Sequence, residues 1–137
     1  MKKALALFMT VVMLTIILAG CGSATKLPEG FDEADVFATA ENAVMTMNSG
    51  DYEALCAMWD EALQGDLTPE AFESAVSQTM PDAGEFVEFT SETAIGQKDA
   101  DGNDYATAVL SAKYENQKVT FTISVNRDLE LIGFYLK

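Results

Sequence analysis

The chain has 137 residues, with 22 acidic and 8 basic side chains, no His, and a net charge of −14 at pH 7. That length suits a single domain, and so acidic a chain repels phosphate backbones, which excludes nucleic acid as a partner. Without imidazole, no Ser-His-Asp triad, Cys-His pair or His-ligated metal can be built within it.

At the N-terminus, Lys2 and Lys3 lead into the apolar run Ala4 to Leu18, which ends in Ala19, Gly20 and Cys21. This is the order of a secretory signal over residues 1–20. An apolar stretch of about 15 residues falls short of the about 20 that a spanning helix needs, so cleavage is expected rather than a permanent span. Leu18-Ala19-Gly20-Cys21 resembles the lipobox of bacterial lipoproteins. The resemblance implies that the Cys21 thiol receives a diacylglyceryl group, that the peptidase then cuts before it, and that acyl chains such as palmitate hold the mature protein to the membrane outside the cytoplasm. Two acyl chains anchor far more firmly than one. Loss of Lys2 and Lys3 would take the charge from −14 to −16, so the lipid, not the protein face, is expected to make the membrane contact. With Cys21 acylated, only Cys56 remains, and no disulfide can form within the chain. Cys56 has no basic neighbour in sequence and is expected to act as a small buried hydrophobe.

Residues 21–31 carry the acylated Cys and a short run of small and polar residues with two Gly and one Pro, the composition of a flexible tether. A domain follows over 32–137. From Asp32, a stripe of Val36, Phe37, Ala40, Val44 and Met47 predicts a helix that Asp32 caps and Gly50 ends. Asp51 opens a second, with Tyr52, Leu55, Cys56, Trp59 and Leu63 on its apolar side and Gly65 as its stop. Thr68 and Pro69 open a third, carrying Phe72, Val76 and Met80 and stopped by Pro81. Beyond it the period changes to two, and strands are expected from Phe86 to about Ile95, Tyr105 to Tyr114, Val119 to Asn126 and Leu131 to Leu136. Links this short join antiparallel neighbours. The expectation is α+β: three N-terminal helices packed on a curved four-stranded antiparallel sheet, with Gly133 able to permit a bend.

Gly50-Asp51-Tyr52-Glu53-Ala54, Leu67-Thr68-Pro69-Glu70, Gly84-Glu85-Phe86 and Ile132-Gly133 resemble the bacterial domain-of-unknown-function family 3887, of the nuclear transport factor 2-like superfamily. The resemblance implies a cone in which a bent sheet wraps around helices and leaves an apolar pocket at the open end. That superfamily includes isomerases, dehydratases, ligand binders and dimerisation modules, so the fold alone does not settle the function.

The site residues expected to bind an apolar ligand are Phe37, Trp59, Phe72, Tyr114, Phe121 and Tyr135, with Trp59 and the tyrosines favoured because their polar tips want a partner in a dry site. Most other aromatics are needed as core. Asp60, beside Trp59, and Glu88, between Val87 and Phe89, are the acids a catalytic reading would use. Asp99-Ala100-Asp101-Gly102-Asn103-Asp104 begins like a calcium loop but lacks Gly at the sixth place and Glu at the twelfth, and reads instead as a hairpin turn. No cofactor or metal site is expected. The domain is read as a non-catalytic module for a small apolar ligand or peptide. Self-association or another protein interaction is the alternative, and an isomerase- or dehydratase-like enzyme using a pocket carboxylate the second.

Overall fold

A computed structural model describes residues 26–137. The signal at 1–20, the acylation site Cys21 and the first part of the tether lie outside the described residues. Among those described, no helix is long and apolar enough to cross a membrane.

Helix α1 runs Glu33–Asn48 and starts where Asp32 accepts the N–H groups of Ala34 at 2.9 Å and Asp35 at 3.3 Å. Its buried side is Val36, Ala40, Ala43, Val44 and Met47. Gly50, at φ +77°, turns the chain left-handed and ends the helix, as expected. Asp51 then caps α2 by accepting the Ala54 N–H at 3.0 Å.

The second predicted helix is interrupted. Helix α2 covers only Tyr52–Ala57, and α3 covers Glu61–Gln64. Between them Trp59 bridges Leu131 of the last strand in parallel: Leu131 N–H donates to Met58 O at 2.9 Å, and Asp60 N–H donates to Leu131 O at 2.9 Å. Two backbone bonds and the burial of Trp59 outweigh continuation of the helix. Asp60 caps α3 through Ala62 N–H at 2.9 Å, and Gln64 donates to Trp59 O at 2.7 Å. Leu63, expected on the apolar stripe, is thereby left 37% exposed. Helix α4, Pro69–Thr79, is the third predicted helix, with Thr68 accepting from Ala71 N–H at 3.2 Å.

The four strands β1 (Phe86–Lys98), β2 (Asp104–Tyr114), β3 (Lys118–Val125) and β4 (Leu131–Leu136) form an antiparallel meander in the order β1-β2-β3-β4. The inner face of β2 bears Ala106, Ala108, Leu110 and Ala112, opposite the alanines of α1, and small residues on both elements let the helix sit close to the sheet. On β3 the inner residues Val119, Phe121, Ile123 and Val125 are buried. The outer face is rich in hydroxyls, with Thr107 Oγ1 3.0 Å from Gln97 Oε1 and 2.8 Å from Ser124 Oγ. Register shifts interrupt β1 between Phe86 and Glu88 and between Phe89 and Ser91, and interrupt the β3–β4 pair at Ser124/Val125, opposite Gly133.

The tether is shorter than its composition suggests. Leu27 and Phe31 pack against the core, Arg127 donates to Glu29 O at 2.7 Å, and its guanidinium lies 5.6 Å from the Phe31 ring. Gly96 makes room: a Cβ there would stand 2.6 Å from Pro28 Cδ. Two half-buried apolar side chains and this clamp seat residues 26–31 on the domain.

Candidate functional site

Helix α4 and strand β4 do not close completely on each other. Ala71, Phe72 and Ala75 from the helix face Phe134 and Leu136 from the strand across an apolar hollow of about 200 Å³, completed by Trp59 and Leu67. The two alanines leave the space that larger side chains would fill. Trp59 is 8% exposed, and its indole Nε1 is buried with no hydrogen-bond partner among the described residues. A donor left in that condition costs about 1–3 kcal/mol. The backbone on either side of Trp59 is held by the Met58–Asp60 bridge to β4. The indole meets Phe72 at a tilt of 50° with 6.1 Å between centroids, Phe72 meets Phe134 edge-on at 6.1 Å, and Phe134 meets Phe121 at 5.9 Å.

Of the residues expected to bind a ligand, Trp59 and Phe72 come together here. Phe121 belongs to the same aromatic row but is fully buried behind Phe134, so it is core and not pocket wall. Tyr135 points out of the opposite face of the sheet and is 72% exposed. Phe37 packs half-buried against the core, away from this hollow. Tyr114 lies elsewhere, in a second hollow beside Gly50 and Met80. There its hydroxyl donates to Asn48 Oδ1 at 2.7 Å. Burial pushes the phenol up to about 12, against the opposing effect of that bond. That bond engages the Asn48 amide oxygen, while Asn48 Nδ2 donates only weakly, to Met45 Sδ at 3.7 Å. Phe134, absent from the expected set, is central to the first.

Asp60 caps α3 and accepts the Asn126 side-chain amide at 3.2 Å, and Glu88 is exposed on β1; neither lines the hollow. The Cys56 thiol is partly buried and pushed up by burial, then by Glu70 and Glu53, which keeps it in its unreactive form. Asp99 accepts the N–H groups of Asp101 and Asn103, both at 2.9 Å, and Gly102 sits at φ +83°, so the acidic run is the turn between β1 and β2. Among the described residues no group of three or more His, Cys, Asp or Glu is placed to hold a metal ion.

Residues 40–134 match the family model described as a protein of unknown function, DUF3887. The chain belongs to the DUF3887 family. The match starts within α1 and runs through Trp59 and α4 to Phe134, so it spans most of the hollow. The DUF3887 domain is similar to a protein from Ruminococcus gnavus ATCC 29149 whose structure was solved by NMR, at a TM-score of 0.72 and 31% identity, covering 82% of this chain and 96% of that one. No curated protein matches. The α+β architecture, with helices against an open antiparallel sheet, agrees with the nuclear transport factor 2-like fold that the sequence motifs imply.

Proposed function

We propose that this DUF3887 protein is an extracytoplasmic lipoprotein, anchored through Cys21, whose domain binds without catalysis an apolar group carrying a neutral hydrogen-bond acceptor. The observation that carries the reading is the buried, unpartnered indole N–H of a residue lining an apolar hollow. A volume of about 200 Å³ lies below the roughly 300–1,000 Å³ of sites for drug-sized ligands, so the guest is one ring or one branched aliphatic group. Asp60, Asp66 and Glu70 are chain neighbours of the lining residues Trp59, Leu67 and Ala71. A carboxylate guest would be repelled there, and a carbonyl or ester oxygen would not. Because Nε1 is itself closed off, the acceptor reaches it when the ring swings toward the hollow. Relief of the unpaired donor offsets that movement.

The test uses methyl benzoate as a probe and the fluorescence of Trp59, the single Trp of the chain. The expected outcome is a saturable spectral shift that Ala75→Phe, which fills the hollow, abolishes while the variant still unfolds cooperatively. A linear, unsaturable response in the parent protein refutes the binding site. For the anchor, labelled palmitate is expected to enter the parent chain and not Cys21→Ser.

A further inference from the structure

The two edges of the sheet are built differently. Strand β1 carries Glu88, Glu92 and Lys98 and two register shifts, devices that discourage a further strand from pairing. Strand β4, Leu-Ile-Gly-Phe-Tyr-Leu over 131–136, has neither charge nor proline. Lys137 exchanges both backbone bonds with Thr120, at 3.1 and 2.9 Å. By the alternation of an antiparallel ladder, Tyr135 then faces β3, and the backbone N–H and C=O of Phe134 and Leu136 point away from the sheet. Among the described residues no hydrogen bond reaches those four groups. The same edge is already used one step earlier, where Leu131 pairs with Met58 and Asp60 before the chain turns away into α3.

We propose that the occupant of this edge is an extended peptide, neutral or basic in charge, that adds a fifth strand beside β4 and places one apolar side chain in the Trp59 hollow. The inference rests on the hollow being a binding site. Side chains of an added strand alternate between faces in step with β4. The one beside Phe134 and Leu136 on the inner face enters the hollow, and its neighbour lies along exposed Tyr135 on the outer face. The hollow holds one side chain and no more, the Trp59 N–H calls for an acceptor such as a peptide carbonyl, and the acids flanking the site, on a chain of charge −14, favour a partner with lysine or arginine.

The probe is a capped heptapeptide of alternating leucine and threonine with lysine at each end, added to the full chain and followed by Trp59 fluorescence and by amide chemical shifts. The expected result is saturable binding that moves the amides of Phe134 and Leu136. Methylating two backbone nitrogens of the peptide should weaken it by at least about tenfold, as backbone pairing requires, while methyl benzoate binds as before. Equal binding of the methylated peptide overturns the inference. Binding of methyl benzoate with no binding of the peptide overturns it alone and leaves the hollow standing. Failure of both probes removes the hollow as well. If the same two amides shift with protein concentration alone, together with dimers in sedimentation, the edge belongs to a second copy and the peptide reading falls.

Discussion

Phe121, Phe134 and Tyr135 show how a single register decides what an aromatic side chain does. Phe121 and Tyr135 both look like wall residues in sequence, each lying in a strand of apolar character. Phe121 pairs with Leu136 and Ile123 with Phe134, which places those four on the inner face, while Tyr135 opposite Thr122 is left on the wet one. The hydroxyl side of β3 carried that signal. What hid it is the shift at Ser124/Val125, which breaks strict alternation in β4 so that Leu131, Phe134 and Leu136 all turn inward. Depth was beyond reach, because a pocket wall and a core residue share the same face. Phe121 is fully buried, so Phe121→Ala should cost about 3–5 kcal/mol of unfolding free energy, read by urea denaturation. A change within experimental error would mean that the side chain borders open space after all.

Among elements, α1, α4 and all four strands follow the periodicities and caps visible in the chain, and their ends agree to within a few residues. The break at Met58–Asp60 does not, since its cause is a partner, Leu131, far away in sequence. Local pattern cannot announce a long-range bridge, and the hollow was hidden with it, because that bridge is what turns Trp59 toward α4. Asp60 stands at this junction as the α3 cap and the acceptor for Asn126. Asp60→Ala is therefore expected to lower stability by about 0.5–2 kcal/mol and to speed amide exchange at Ala62 more than at residues of β2. Uniform exchange across both would detach the cap from the bridge.

At the scale of the whole molecule, acidity is unevenly expressed. Where α1 passes β1, a hydrogen bond with Glu41, then burial, then the Glu41 charge hold the Glu92 carboxyl above its ordinary range. The folded state thus keeps that proton more tightly than the unfolded chain. The pair contributes stability below the ordinary glutamate range and loses it as pH rises through the raised value. Asp99, held low mainly by its bonds from Asn103, and Asp104, held low chiefly by Lys98, act in the opposite sense. They contribute above the ordinary aspartate range and lose it as pH falls through their depressed values. Stability should consequently peak in mildly acidic solution. Glu92→Gln is expected to raise the melting temperature at neutral pH slightly, since the site is exposed, and to flatten the slope on the alkaline side of the peak. An unchanged slope in calorimetry at a series of pH values would refute the pairing.

The seating of residues 26–31 also fixes how the domain would stand above a bilayer. Arg127 gathers Glu29, Phe31 and Asp104 at the end of the sheet where the β1–β2 and β3–β4 hairpins turn. With an acyl group on Cys21, five chain steps separate it from Lys26, a span of at most about 18 Å. That end would hover just over the headgroups. Of the cations at that end, Lys98 and Arg127 are both tied to Asp104, at 2.6 and 2.7 Å, and exposed Lys26 lies beside them. The open flank of β4 would then face sideways, level with whatever else projects from the same membrane.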